Sequence, residues 1–440
     1  MGAQLRHPHD REILRLAIPA FGALVAEPLF LLADSAIVGQ LGTAALGGLG
    51  VAAVALATLV NVCVFLAYAT TAAVARLLGS GDQRGAIQQG IDGLWLAVAI
   101  GALLLAIGEP LAPWIVDVLG ASPEVTPYAV TYLRVSLLGI PAMLLVLAGT
   151  GVLRGLQDTR TPLAVAVTAS VINVVLNVWF VLVLEWGIAG SAAGTVIVQI
   201  GSALAYVLVV GRGARRHGAR LMPDLAGVRT AARAGSALIV RTVAMRVVLV
   251  IATAVAARLG TAEIAAHQVA FQVWTLLALA HDSVAIAGQA IVGRYLGASD
   301  VAGTRSTTKR MVVWGVAAGV VLGLLVVAVR PVLPAMFTDD PQVYRLLLLT
   351  LLVVAAMQPL AGVVFVLDGV LIGAGDMRYL AVASVIATVA YLPAAYVVLA
   401  LDAGLVGLWL ALVAWMLARC ATLGVRTYGE AWLVTGAVRR

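Results

Sequence analysis

Long apolar stretches, separated by short charged or Gly/Pro-rich breaks, run along nearly the whole chain. A helix needs about 20 predominantly apolar residues to cross a bilayer, so stretches of this length read as membrane spans. The pattern predicts twelve of them, at about 14–39, 46–75, 87–108, 126–153, 161–184, 187–210, 236–258, 264–293, 311–329, 343–372, 379–400 and 404–424. Several exceed the bilayer requirement, which implies tilt or projection beyond the membrane. The predicted fold class is an all-α polytopic membrane protein.

The pattern also repeats. At one ungapped offset of 218 residues, Leu41-Gly42-Thr43-Ala44 recurs as Leu259-Gly260-Thr261-Ala262. Arg76, Gly79 and Asp82 recur as Arg294, Gly297 and Asp300. Pro113, Pro123 and Pro141 recur as Pro331, Pro341 and Pro359, and Gly155, Asp158 and Arg160 as Gly373, Asp376 and Arg378. Each half holds six spans, an even number. Two six-helix lobes related by a pseudo-two-fold axis along the membrane normal are therefore expected. The predicted division is 1–210 for the first lobe, 211–235 for a basic cytoplasmic linker and 236–440 for the second. That linker is expected to touch anionic lipid.

Composition agrees with this class. Hydrophobic residues make up 62% and charged residues 11%, far from the roughly 25% charged content of soluble domains. Small residues let membrane helices approach closely, and glycine is abundant. Gly190 and Gly194 form one GxxxG match, which a packing face or chance would each explain. The net charge of +7 has a topological origin rather than a nucleic-acid one: 23 of the 28 Lys+Arg fall on one side of the predicted spans. By the positive-inside rule both termini are cytoplasmic. Cys63 and Cys420 lie in apolar runs, so neither a disulfide framework nor a metal site is expected. No small-residue cleavage site precedes the first span, so no removable signal is expected.

Intramembrane ionisable residues are expensive, roughly 2.5–3.5 kcal/mol even on lenient insertion scales, and they commonly handle ions or protons. Asp34 is such a residue, in the first span. At 1.5 Å per residue it lies ~28 Å beyond Arg15, with Asn177 ~24 Å beyond Thr161 and Thr195 ~12 Å below Gly187, all in the outer half. Asn173 is one turn from Asn177 on the same helix face. These four side chains are the candidate proton or cation site, set against a reading as separate helix–helix hydrogen bonds. Pro19 is a candidate kink. In the second half, Asp282, His281 and Asp368 form a possible polar site, although Arg241 and Arg246 offer them structural ion pairs. Asn61 and Tyr132 are possible cleft-lining residues, with structural hydrogen bonds as the alternative. Dinucleotide, phosphate-loop, zinc-protease and nucleophile-elbow motifs are all missing. An enzyme is not expected, and energy must come from an ion gradient.

Three motifs carry a family resemblance. Asp34-Ser35-Ala36-Ile37-Val38-Gly39-Gln40-Leu41-Gly42 resembles the first-helix signature of the MATE (multidrug and toxic compound extrusion) family, in its DinF-like branch. Gly155-Leu156-Gln157-Asp158-Thr159-Arg160-Thr161-Pro162 and Leu367-Asp368-Gly369-Val370-Leu371-Ile372-Gly373-Ala374-Gly375-Asp376 resemble two further signatures; Arg241-Thr242 and Ala265-Ala266-His267-Gln268 match more weakly. The resemblance spans the chain. It implies the same Asp34 cluster, and bending of the first helix at Pro19 tied to protonation of the acid.

One position departs from the family: Asn177 stands where many relatives carry a second acid. A single carboxylate among neutral oxygens suits a proton better than a bare cation, since hard cations favour several oxygen ligands including carboxylates. The resemblance thus implies an exporter of amphipathic, often cationic small molecules in exchange for protons, without a cofactor. It would be a monomer in a bacterial-type inner membrane, with the lipid bilayer as its other partner. Sodium coupling and lipid-linked precursor flipping are the alternatives. A flippase would be expected to need a strongly basic cavity, whereas this sequence offers mainly acids.

Overall fold

The apolar stretches form helices because a backbone in hydrocarbon must satisfy its own hydrogen bonds. The computed structural model describes residues 8–438 and has no strand among them; Arg6, Arg439 and Arg440 of the basic count lie outside. In the first half the helices are α1 (Asp10–Gly39), α2 (Thr43–Cys63), α3 (Phe65–Gly79), α4 (Gln83–Val118), α5 (Thr126–Leu137), α6 (Ile140–Gly155), α7 (Arg160–Asn177) and α8 (Gly187–His217). In the second they are α9 (Leu225–Leu259), α10 (Thr261–Gly297), α11 (Val301–Val329), α12 (Pro341–Gly373), α13 (Met377–Ala400) and α14 (Gly404–Tyr428).

Eleven described helical segments are long and apolar enough to cross a membrane, and a bent pair brings the number to twelve. The pair is α5 and α6, which meet at 53°. Pro141 sits in the first turn of α6, where its missing N–H does no harm. The equivalent Pro359 lies inside α12, which runs through it as one helix. Likewise α2 and α3 break at Val64, whereas their counterpart α10 is continuous.

Local geometry follows the 218-residue repeat closely. Asp82 and Asp300 both cap their helices, each accepting from a backbone N–H three residues on at 2.7 Å. Left-handed backbone recurs at Gly81 and Ser299, and at Gln157 and Gly375. Packing recurs too. A Cβ on Gly101 would lie 2.5 Å from Pro141 Cα, and one on Gly319 2.6 Å from Pro359 Cα, so only glycine permits either crossing. In the second quoted motif, Asp158 begins α7 by accepting from the N–H groups of Arg160 and Thr161, each at 3.0 Å.

The chain divides into two compact units, Gly22–Gly235 and Met1–Phe21 with Ser236–Arg440. This differs from the expected 1–210, 211–235 and 236–440 at both edges, for an electrostatic reason found inside each unit. In the second unit, Arg310 reaches Asp10 at 2.5 and 2.8 Å, Trp314 donates to Asp10 at 2.8 Å, and Arg294 pairs with Glu12. These bonds bring the start of α1 into that unit. In the first unit, α4 clasps the linker. Asp92 accepts from the Asp224 N–H at 2.8 Å, Gln88 bonds Arg220 and Met222, and Trp95 donates to the Leu221 carbonyl at 3.0 Å. Asp92 and Arg310 are themselves 218 residues apart, so one register position does the clasping in both units.

The outer surface is apolar, with Val250, Val321 and Leu324 each about two-thirds exposed. Exposed apolar area of this extent marks a lipid-facing surface rather than a water-facing one.

Candidate functional site

In the Gly22–Gly235 unit, Asp34 is 2% exposed, on the buried side of α1. Three donors from three other helices fill its carboxylate. Asn177, the last residue of α7, donates through Nδ2 to Oδ1 at 2.7 Å. Ser191 on α8 donates to the same oxygen at 2.5 Å. Tyr132 on α5 donates to Oδ2 at 3.2 Å. One turn away, Asn173 Nδ2 donates to Thr195 Oγ1 at 3.1 Å.

The expected quartet therefore splits into two adjoining pairs: Asn177 touches Asp34, while Asn173 and Thr195 bond each other. Helix spacing builds both levels at once. Asn173 and Asn177 are i,i+4 on α7, and Ser191 and Thr195 are i,i+4 on α8. Ser191 escaped the sequence reading, although its position one turn before Thr195 would have revealed it. Tyr132, expected to line a cleft or make a structural bond, is a direct partner of the carboxylate.

The local backbone explains how Asn177 gets so close. Immediately after it, Val178–Val183 widens into a π-type turn, a feature that often accompanies functional sites. Across from it stands Gly194, where a Cβ would lie 2.6 Å from Asn177 Oδ1. The GxxxG match is thus a genuine packing face, with Gly190 against the Phe180 carbonyl in the same way.

The cluster holds one carboxylate and an excess of acceptors. The side-chain oxygens of Asn173 and Asn177 are buried without a partner. The three donors give the Asp34 carboxylate hydrogen bonds on both of its oxygens. Hydroxyls can reverse from donor to acceptor, and an amide can turn its oxygen forward. The surroundings of Asp34 can therefore reorganise around a proton without new residues. Among the described residues, His, Cys, Asp and Glu side chains form no group of three that could hold a metal.

Other sequence candidates fall elsewhere. Asp368 on α12 is buried in an ion cluster of the second unit, where Arg241 of α9 donates to both its oxygens and Arg419 of α14 lies 3.8 Å away. The structural pairing with Arg241 is the one found; Arg419, counted among the cytoplasmic charges, is a partner the sequence reading missed. His281 Nε2 lies 3.2 Å from Gln358 Oε1, and the neighbouring Asp282 is near enough to Arg419 to act on its charge. Neither joins the Asp34 cluster. Asn61 spends its amide donor on the Ala57 carbonyl of its own helix at 2.7 Å. Pro19 is half-buried within α1, which continues through it.

Comparison with known proteins gives a consistent answer. The family model described as MatE matches residues 19–179 and again 237–397, two matches that begin 218 residues apart. Protein DETOXIFICATION 43 of Arabidopsis thaliana is 30% identical over 480 residues, covering 95% of this chain and 90% of that protein. DNA damage-inducible protein F of Escherichia coli (strain K12) is 29% identical over 300 residues, 66% of this chain and 64% of that protein. A Vibrio cholerae MATE transporter solved in its bent form superposes with a TM-score of 0.87 at 21% identity, covering 96% of each chain.

Proposed function

We propose, from the premise that this chain belongs to the MatE family of multi-pass membrane transporters and is not an enzyme, that it exports amphipathic, often cationic compounds in exchange for protons. Its similarity to DNA damage-inducible protein F supports the DinF-like branch within that family. The observation that carries the proton reading is Asp34: a carboxylate 2% exposed, filled by Asn177, Ser191 and Tyr132. No second acid stands among those partners.

Ionised, Asp34 accepts three hydrogen bonds. A proton arriving on Oδ1 turns that oxygen into a donor and sets it against the Ser191 O–H and the Asn177 N–H. Turning the Asn177 amide would present its unpartnered Oδ1 to the new O–H, and the Ser191 hydroxyl would rotate away. Protonation thus changes how α1, α7 and α8 are bonded together. Neutralising Asp34 also removes its through-space attraction for a cation bound elsewhere in the protein, so proton entry favours release of a charged substrate. Alternating access would then return the protein to load again.

Sodium coupling is the second reading. The unpartnered oxygens of Asn173 and Asn177 supply neutral ligands of the kind a hard cation takes, though with a single carboxylate. The protein would act without a cofactor, as a monomer in a bacterial-type inner membrane with both termini cytoplasmic. The deciding experiment is export from proteoliposomes in sodium-free buffer under an imposed pH gradient. Proton coupling gives transport there; sodium coupling gives none until a sodium gradient is added at constant pH.

A further inference from the structure

Glu27 is a second acid on α1 that the sequence reading passed over. It lies about 18 Å along the helix from Arg15, near the middle of a hydrocarbon core about 30 Å thick. Among the described residues it makes no hydrogen bond and no ion pair, and its side chain is exposed. An intramembrane carboxylate with neither protein partner nor function would be selected against, so its surroundings decide what it does.

The helix stripe supplies that answer. Seven residues make nearly two full turns, so Ile13, Ala20, Glu27 and Asp34 point in almost the same direction. Ile13, Ala20 and Asp34 are each 2% exposed or less, whereas Glu27 on the same line is open. The lipid-facing stripe is on the other side of α1, where Ile18, Leu29 and Leu32 are 61–68% exposed. Glu27 therefore opens away from that apolar stripe, on the side of α1 that carries Asp34. Pro28 follows directly. Its missing N–H leaves the Leu24 carbonyl without its helix partner, a neutral acceptor within one turn of the acid.

We propose that Glu27 is the recognition carboxylate for the positive charge of an organic monocation, separate from Asp34. Asp34 is buried and already bonded to three donors, so it offers a bulky cation little access. Glu27 is reachable, unpaired and adjacent to apolar side chains that suit an amphipathic body. This assignment rests on the export reading above and adds to it which residue reads substrate charge.

The test uses two dyes with one xanthene ring system: rhodamine 6G, a cation, and rhodamine 19, its zwitterionic free acid. Binding to the purified full-length protein is followed by fluorescence anisotropy. Glu27→Gln should weaken rhodamine 6G binding by roughly tenfold or more while changing rhodamine 19 by less than about threefold, because only the first loses a net charge attraction. Glu27→Asp should stay within about threefold of wild type for both, since it keeps the charge. Wild-type affinity for rhodamine 6G in Glu27→Gln, or an equal loss for both dyes, overturns the proposal.

If Glu27→Gln does not fold, carbodiimide labelling of the wild-type protein replaces it. Rhodamine 6G should slow modification of Glu27, read by peptide mass, and rhodamine 19 should not; equal rates with and without rhodamine 6G overturn the proposal. Binding needs no gradient, so the two readings fail separately. Charge-selective binding without pH-driven export leaves Glu27 standing and removes proton coupling. Export with binding indifferent to Glu27 does the reverse.

Discussion

Asn177 gives its amide N–H to Asp34 Oδ1 at 2.7 Å, and its own carbonyl oxygen is left buried without a partner. One side chain thus holds the ionised acid and keeps in reserve the acceptor that the protonated acid would need. Asp34→Asn removes the titrating group at nearly constant shape. Gradient-driven export should fall to the level of empty vesicles, with the protein still folded by size-exclusion profile. Full transport by this variant would remove Asp34 from the mechanism.

Asn177→Asp places a second carboxylate in direct contact with the first. Two acids this close do not both ionise freely; they share a proton or bind a cation. Export by this variant should become stimulated by sodium at constant pH. The measurement is initial rate against sodium concentration, and a flat response in a folded, active variant would count against a shared ion site.

Gly194→Ala tests the packing that seats Asn177. The new Cβ would fall 2.6 Å from Asn177 Oδ1, so the amide must shift, and its bond to Asp34 with it. Overpacking of this kind destabilises by about 1–3 kcal/mol. Transport should drop at least as far as in Asn177→Ala, while Gly201→Ala, where nothing lies within 4 Å, should be near wild type.

Asp368→Asn probes the ion cluster of the second unit. Asp368 is the carboxylate facing Arg241 and Arg419, and its side chain is only 10% exposed. Removing one partner of a buried pair costs about 3–5 kcal/mol, because the remaining charge is left uncompensated. The thermal midpoint in detergent should fall clearly. The double variant Arg241→Met, Asp368→Leu should recover part of that loss. An unchanged midpoint in Asp368→Asn would show that this acid is not a structural counter-ion.

Asp82→Ala and Asp300→Ala address the repeat itself. Each Asp caps a helix through the same 2.7 Å bond, so each loss should be similar, about 0.5–2 kcal/mol. Thermal unfolding of the two variants checks this. A large effect at one position and none at the other would show that the matched geometry does not carry matched energy.

The spans, the 218-residue repeat and the place of Asp34 as an acid at membrane depth were legible in the sequence because each is recorded locally. Apolar runs reveal helices, a constant offset reveals duplication, and an acid at membrane depth stands out against its neighbours. The second level of the site was half legible: i,i+4 spacing joined Asn173 to Asn177 but gave no reason to add Ser191. Tertiary structure decided the rest. Ser191 and Tyr132 meet Asp34 from 157 and 98 residues away, which depends on how each helix is rotated about its axis. Rotation is set by packing at glycines such as Gly194, and no hydropathy pattern records it. The same holds for Asp368, whose choice of Arg241 and Arg419 over Arg246 is a matter of side-chain reach across α9, α12 and α14. The start of α1 joins the second unit because Arg310 and Arg294 neutralise Asp10 and Glu12 there. Four charges had to be brought together in space before that boundary existed.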